Sequence, residues 1–260
     1  MNDVYVYKYG DKTYINLTNR CNNNCDFCIR KNGEGLAGNR LWLKREPEAV
    51  DVINALKSMK HVSDEVVFCG YGEPTMRLEV LREVAEYLKK QGKRVRLNTN
   101  GLASAYYGRD IVPEIKDTVD TVSISLNEAS AEKYDSVCHS IYGSKAYGYM
   151  LDFAEKCVKA GMDTALTVVD VIAPEDIETC RRTAESIGAR LRVRKFISDN
   201  DMPKKKKRMS AKRFPFPLIA IAAYLILGFA FGLWHPGWLI FLTVPVYYAI
   251  ADIAEKHRRA

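Results

Sequence analysis

The stretch that decides the fold is YINLTNRCNNNCDFC, residues 14–28, in which a short apolar run leads directly into three cysteines. Residues 14–18 predict a strand, and the loop after it carries Cys21, Cys25 and Cys28 within eight residues. Three thiolates on one loop can converge on a metal centre. The asparagines between them tolerate the tight backbone turns that this requires.

This cysteine set is one ligand short of a closed site. A structural zinc ion needs four protein ligands, usually as two spaced pairs. The next cysteine in the chain, Cys69, belongs to a different predicted element. The residues therefore indicate a metal centre with one open position, as in a catalytic site, and leave the choice between zinc and iron open.

Downstream, the chain alternates between strand-like and helix-like segments. The predicted strands are residues 14–18, 65–69, 95–98, 121–126, 164–171 and 191–197. The predicted helices are residues 47–59, 78–91, 111–116, 146–160 and 174–187. Such alternation indicates an α/β protein with a parallel sheet. Right-handed crossovers would curl six units into a partial barrel as readily as a flat sheet, and spacing does not decide between them.

Charge and cysteine usage narrow the function classes. The net charge is +7, and residues 204–213 alone hold seven Lys or Arg and no acid. The folded domain is therefore nearly neutral, and a nucleic-acid partner is not indicated. The odd number of cysteines, seven, makes a poor disulfide framework and indicates a reducing compartment. The first residues lack the order of a signal peptide, so we expect the main domain in the cytoplasm.

The composition changes sharply after residue 200. A basic linker, residues 201–213, precedes 38 residues (214–251) without Lys, Arg, Asp or Glu. Two apolar arms with a Trp-rich turn between them predict a two-helix membrane hairpin over residues 214–260, with both ends cytoplasmic. The linker would then meet anionic lipid head groups. A buried helical hairpin packed on the main domain and a re-entrant hairpin remain as alternatives.

The cysteine loop has a specific family resemblance. CNNNCDFC resembles the Cys-x3-Cys-x-aromatic-Cys motif of the radical SAM superfamily, where SAM is S-adenosylmethionine. The resemblance implies that Cys21, Cys25 and Cys28 hold three irons of a 4Fe–4S cluster and that SAM chelates the fourth. It also implies that Phe27 lies beside the adenine of SAM.

A second motif follows the next predicted strand. GYGEPT, residues 70–75, resembles the superfamily's Gly-Gly-Glu-Pro motif, with Tyr71 in the place of a glycine. The resemblance implies that Gly72 and Glu73 lie along the SAM amino group, since glycine lets backbone carbonyls approach an ammonium closely. Further candidates for the SAM ribose or carboxylate are Asn98, Asn100 and Ser125, near the ends of the third and fourth strands.

For three other reactive side chains, the sequence favours a structural role over a functional one. Cys138 is interpreted as a small buried residue, because no further Cys/His pair nearby would complete a second metal site. Arg194 and Lys195 could pair with a carboxylate of SAM or of a substrate, although a solvated strand end is the favoured interpretation.

The radical SAM resemblance runs over residues 1–200, and two segments, residues 15–35 and 66–81, resemble the radical SAM proteins associated with TatD-type nucleases. The resemblance implies a partial (β/α)6 TIM-like barrel, here followed by the hydrophobic helical hairpin. It also implies cleavage of SAM to a 5′-deoxyadenosyl radical that takes hydrogen from an unidentified substrate, with an electron donor such as flavodoxin or ferredoxin. No protein side chain is predicted to be catalytic. An enzyme that installs a radical on a partner protein, and a membrane-tethered scaffold with a structural metal, are the alternatives.

Overall fold

The computed structural model describes residues 3–32, 36, 39–195, 216–232 and 234–257. The chain divides into two compact units, Met1–Lys204 and Lys205–Ala260. The first unit contains the sheet, and helices make up most of the described residues of the second.

The first unit is built on one seven-stranded sheet whose strands follow one another in chain order. The strands are β1 (Val6–Tyr9), β2 (Lys12–Ile15), β3 (Glu65–Phe68), β4 (Arg94–Thr99), β5 (Thr121–Ser125), β6 (Asp163–Val169) and β7 (Arg190–Arg194). Strands β2 to β7 are parallel to their neighbours, and β1 pairs antiparallel with β2. The predicted parallel sheet is confirmed.

Strand β1 is the addition that sequence reasoning missed. It forms a hairpin with β2 through Gly10, whose φ of 59° suits a glycine in a tight turn. The ring of Tyr7 on β1 stacks on that of Tyr14 on β2, with 5.3 Å between centroids. The hydroxyl of Tyr7 also donates to the Cys69 carbonyl oxygen at 3.0 Å. The hairpin therefore covers one edge of the sheet.

Among the described residues of the first unit, seven α-helices connect the strands. They are α1 (Ala49–Lys57), α2 (Leu78–Lys90), α3 (Ala103–Tyr107), α4 (Val112–Ile115), α5 (Ala131–Cys138), α6 (Lys145–Lys159) and α7 (Pro174–Ser186). Two of these helices, α3 and α5, are not predicted from the sequence. Because the strand order never reverses, right-handed crossovers place the helices on one face. A doubly wound flat sheet reverses its order, so the topology favours a section of a barrel.

The two faces of the sheet differ in character. Alternate side chains, such as Val95 and Leu97 on β4, are fully buried in the core together with the helices. The intervening side chains, such as Arg96 and Asn98, therefore point to the opposite face. This second face, which we call the polar face, ends at the carboxyl edge of the strands.

The second unit contains α8 (Phe216–Phe231), α9 (Trp234–Gly237) and α10 (Thr243–His257). Helix α8 has 16 residues and is followed by Gly232, whose φ of 67° interrupts the helix. Helix α10 has 15 residues. No helix in the described part of the chain is long and apolar enough to cross a membrane. The predicted membrane hairpin and its lipid contacts are therefore not confirmed, and the basic linker lies outside the described residues.

Candidate metal and cofactor site

The three predicted cysteines lie on the loop after β2, at the carboxyl edge of the sheet. All three are free thiols and half-buried. The Asn23 backbone N–H donates to Cys21 Sγ at 3.4 Å, and the Cys28 N–H donates to the Cys25 carbonyl at 3.2 Å. Both hydrogen bonds join residues that are two or three positions apart, so the backbone turns tightly between the cysteines.

Helix α5 holds this loop through its carboxyl end. The backbone N–H groups of Asn24 and Asp26 donate to the carbonyls of Cys138 and Val137, each at 2.9 Å. These carbonyls belong to the last turn of α5, where a helix leaves its acceptors unpaired. The Tyr134 hydroxyl also accepts a hydrogen bond from Asn23 Nδ2 at 2.9 Å. Sequence reasoning treated Cys138 only as a core residue, and backbone contacts of this kind leave no side-chain signal.

The GYGEPT loop runs beside the cysteine loop and extends the pairing of β2 with β3. The Gly72 N–H donates to the Thr18 carbonyl at 2.9 Å, and the Glu73 N–H donates to the Arg20 carbonyl at 2.8 Å. A Cβ on Gly72 would lie 2.5 Å from the Thr18 oxygen and 2.4 Å from the Arg20 oxygen. Glycine is therefore required for the two loops to approach each other.

Glu73 joins this loop to the end of β4. Its side chain is buried, at 4% exposure. Oε1 accepts hydrogen bonds from the hydroxyls of Thr75 and Thr99, each at 2.7 Å, and from the Thr75 N–H at 3.2 Å. Oε2 accepts from the Asn100 N–H at 2.8 Å. Burial raises the pKa of Glu73, while these hydrogen bonds oppose the rise.

Asn100 completes the link back to the cysteines. Its Nδ2 donates to Asn22 Oδ1 at 2.5 Å and lies 3.8 Å from Cys21 Sγ. Of the predicted site residues, the structure thus brings Gly72, Glu73 and Asn100 against the cysteine loop.

Asn98 and Ser125 occupy the polar face instead. Asn98 Oδ1 is buried and has no hydrogen-bond partner in the described residues, while the side-chain amide bonds to the Cys69 thiol. Ser125 is the half-buried last residue of β5, and its hydroxyl makes no hydrogen bond within the described part. Both remain available to a ligand on that face.

Outside the site, the Glu46 carboxylate connects the cysteine loop and the segment after the GYGEPT loop through hydrogen bonds. Its carboxylate accepts hydrogen bonds from the Thr18 hydroxyl, from Arg20 Nε at 2.8 Å and from the Arg77 guanidinium at 2.9 Å. Burial alone would raise the pKa of Glu46, but these hydrogen bonds outweigh it and lower the pKa to about 2. The ionised carboxylate therefore stabilises the folded arrangement.

A cleft of about 380 Å³ opens beside Phe27. Asn127 and Glu128, after β5, and Val169 and Val171, around the end of β6, line it together with the last turns of α5. The Asn127 side chain is buried and donates to Cys138 Sγ at 3.3 Å, while its Oδ1 has no partner in the described part. The lining mixes apolar residues with the charged side chains of Glu128, Lys133 and Asp176. Apolar lining with a few polar groups, one of them an unpaired acceptor, is typical of a small-molecule pocket. Sequence reasoning found Phe27 but not Asn127.

Residues 15–187 match the sequence model of the Radical SAM superfamily. The chain belongs to this superfamily. Its cofactors are a 4Fe–4S cluster and SAM. The members it resembles include enzymes, and the two motifs described above lie within the matched residues.

Two curated proteins are similar in sequence to part of this radical SAM protein. An uncharacterized protein of Methanocaldococcus jannaschii is 33% identical over 124 residues, which are 46% of this chain and 35% of the relative. A probable GTP 3′,8-cyclase of Thermococcus kodakarensis is 30% identical over 123 residues, 47% of this chain and 37% of the relative. The matches thus span little more than a third of either relative.

Solved structures share the fold of this radical SAM protein. SuiB of Streptococcus suis matches with a TM-score of 0.53 and 15% identity, over 79% of this chain and 44% of SuiB. The FeFe-hydrogenase maturase HydG of Carboxydothermus hydrogenoformans matches with a TM-score of 0.52 and 17% identity, over 77% of this chain and 48% of HydG. These identities show a common fold and nothing about substrate.

The thiols of this radical SAM protein suit a cluster by their chemistry. The described residues contain no three Cys, His, Asp or Glu side chains placed to hold a metal ion. The Cys25 thiol is hydrogen-bonded to that of Cys138, and this bond together with burial raises the pKa of Cys25. Burial and the nearby Glu73 raise the pKa of Cys21 to about 12. Metal binding therefore requires release of these protons and rotation of Cys25 away from Cys138. Three free thiols on one loop, with a fourth position open to SAM, fit the family's cluster.

Proposed function

We propose that this chain is a radical SAM enzyme in which Cys21, Cys25 and Cys28 hold the 4Fe–4S cluster. The observation that carries the proposal is the buried network from Glu73 through Asn100 to Asn22 and Cys21. It fixes both family motifs at one edge of the sheet, although 48 residues separate Cys25 from Glu73 in sequence. Such a network needs all its partners in place to be stable.

A bound and reduced cluster, held by Cys21, Cys25 and Cys28, would supply the electron for cleavage of SAM to methionine and a 5′-deoxyadenosyl radical, which would take hydrogen from the substrate. The protein's task is to bind and orient SAM and to exclude water. We assign the cleft beside Phe27 to the nucleoside half of SAM, with the unpaired Asn127 Oδ1 as an acceptor for its polar edge.

The remaining site residues have different roles toward SAM. Glu73 is a positioning residue, because both of its oxygens are already hydrogen-bonded within the protein. Gly72 allows the close contact of the two motif loops. Asn98 and Ser125 would contact the ribose or carboxylate of SAM from the polar face.

We also propose that the chain belongs to the TatD-associated group of this superfamily, on the basis of its two motif segments. A one-electron donor such as flavodoxin or ferredoxin would reduce it. A cytoplasmic location of the first unit is consistent with the seven free thiols.

Anaerobic reconstitution tests the proposal. We expect wild-type protein to take up about four iron and four sulfide per chain, to give the EPR signal of a reduced cluster, and to form 5′-deoxyadenosine with SAM and dithionite. Cys25→Ala should lose the cluster and the product. Cys157→Ala is the matched control, because this thiol is buried in α6 and is not part of the cysteine loop.

Two results would contradict the proposal. One is wild-type protein that binds zinc in place of iron or forms no 5′-deoxyadenosine. The other is Cys25→Ala protein that forms as much product as Cys157→Ala protein.

A further inference from the structure

The polar face carries an excess of positive charge that the proposed SAM site does not use. Arg94 and Arg96 on β4 alternate with core residues, so both lie on this face. On β7, Leu191 packs against the core, so Arg190, Arg192 and Arg194 point the other way. Two strands of the sheet thus present arginines to the same space.

One cavity of about 340 Å³ collects most of these charges. Five cationic side chains line it, against the two carboxylates of Glu65 and Asp163. Glu65 is paired with Lys12, and Asp163 accepts from Arg190 at 2.7 Å. Glu65 is shared, because its Oε1 also lies 3.6 Å from Nη1 of Arg96. Arg94 and Arg192 have no ion pair within the described residues, so five cations face only two carboxylates in this cavity.

Arg96 is the most deeply buried of the arginines that line the cavity. It is 9% exposed, and its Nε is buried without a hydrogen-bond partner in the described residues. Its Nη1 forms an ion pair with Glu65 Oε1 at 3.6 Å, which is longer than a hydrogen bond. Arg192 has no ion pair or side-chain hydrogen bond within the described part of the chain. A buried guanidinium with an unpaired donor is costly unless an anion completes it.

The residues between the two arginines leave room for such an anion. Ser123 on β5 and Ala165 on β6 are paired in register and are small, and both line the cavity. Strands β4 and β7 are three strand spacings apart, roughly 14 Å. The register also offsets the two arginines along the strands, because Arg96 pairs with Thr121, whereas Arg192 pairs with Thr167, which pairs with Ser125. Ser123 and Ala165 lie between these two levels and line the same cavity as both arginines, so an anion above them lies between the two guanidinium groups.

We propose that Arg96 and Arg192 bind an oxyanion, a carboxylate or a phosphate, of the substrate. Guanidinium groups match such oxyanions with paired N–H donors. This inference rests on the proposed function, since it places a substrate on the face that leads to the cysteine loop. From Arg96 to Asn100, which contacts Cys21, the strand rises by roughly 13 Å over four residues. Six of the residues that line the cavity are the first residues of β2 to β7, so the cavity lies toward the amino edge of the sheet. The substrate is therefore an anionic molecule that spans roughly 13 Å, with its charged end in this cavity and its reacting carbon near the carboxyl edge.

Titration of metal-free, full-length protein with inorganic phosphate and with succinate tests the site. Calorimetry at constant ionic strength, balanced with sodium chloride, should show saturable binding to wild type. We expect Arg192→Gln and Arg96→Gln to weaken it at least tenfold. Arg182→Gln is the control, because this exposed side chain lies on α7 and bonds only locally to Thr179.

Binding of either anion with this pattern supports the proposal, and the preferred one indicates whether the substrate carries phosphate or carboxylate. Absence of saturable binding to wild type, or an equal loss in Arg182→Gln, overturns it. If Arg96→Gln fails to fold, Arg192→Gln decides, and wild-type affinity in that variant also overturns it. Because the protein is metal-free, the result is independent of SAM cleavage, so either hypothesis can fail without the other.

Discussion

Gly72→Ala perturbs the contact between the two motif loops with a single methyl group. The added Cβ would lie 2.4 Å from the Arg20 carbonyl oxygen and 2.5 Å from the Thr18 oxygen. These distances are roughly 1 Å short of ordinary van der Waals contact. Because both neighbours are backbone atoms, no side chain can rotate away, and the loops must separate.

The expected cost follows from what that separation breaks. The hydrogen bonds from Gly72 N–H to Thr18 and from Glu73 N–H to Arg20 lie at the point of overlap. Each contributes about 1 kcal/mol, and forced overpacking typically costs about 1–3 kcal/mol. If both hydrogen bonds are lost, we therefore expect Gly72→Ala to lower the free energy of unfolding by about 3–5 kcal/mol.

Urea unfolding of metal-free protein, followed by circular dichroism, measures this change. Gly148→Ala is the matched control, because Gly148 lies within α6 and a Cβ there meets no atom within 4 Å. That variant should gain about 1 kcal/mol from helix propensity. Iron uptake after reconstitution should fall in Gly72→Ala and not in Gly148→Ala.

The reasoning is refuted if Gly72→Ala unfolds at the same urea concentration as wild type and takes up as much iron. Equal losses in both variants would also refute it, because they would show a general effect of adding a methyl group.

Three further predictions concern the supports of the site. The folded-state pKa of Glu46 is lowered to about 2 from 4.5, so its contribution is fully present above pH 4.5 and is lost as the pH falls toward 2. The free energy of unfolding in urea should therefore fall between pH 5 and pH 3, as part of a total loss of up to about 3 kcal/mol. A Glu46→Gln variant whose free energy of unfolding falls equally steeply over this pH range would contradict this. Glu73→Gln places an amide group among four donors and should cost about 1–3 kcal/mol; an unchanged urea midpoint would count against the network. Tyr134→Phe leaves the buried Asn23 amide without its acceptor and should cost about 1–2 kcal/mol in thermal or urea unfolding, whereas Tyr106→Phe at an exposed position should be neutral.

The parallel strands could be predicted because they are buried on the core side and bounded by clear turn residues. Residues 66–68, for example, form a continuous buried apolar run, which is typical of parallel strands. Strand β1 and helix α5 could not be predicted with the same ease. Helix α5 buries only Tyr134 and Cys138 among its eight residues. Its sequence therefore lacks the apolar stripe that would predict a helix. The predicted membrane hairpin over the apolar C-terminal segment is not confirmed. Composition does not show that α8 is followed by Gly232 with a positive φ, which limits the length of that helix.

The site was predictable where side-chain type carries the chemistry. Cysteine spacing and the GYGEPT motif identified residues that the structure places side by side. The partners of Glu73 and the contacts from Val137 and Cys138 were not predictable, because they are backbone groups or common hydroxyls whose role depends on tertiary position. The charged polar face was missed for a similar reason. Arginines on β4 and β7 share a cavity only after the sheet has curled.

The attachment of the cysteine loop to α5 also determines when the site can form. Asn23 and its partner Tyr134 are 111 residues apart in the chain. At ribosomal rates of roughly 5–20 residues per second, the cysteines wait roughly 5–20 seconds after their own synthesis before α5 exists. During that interval the cysteine loop lacks the hydrogen-bond partners that α5 supplies, so we expect the folded arrangement of the loop to form only after α5 has been translated.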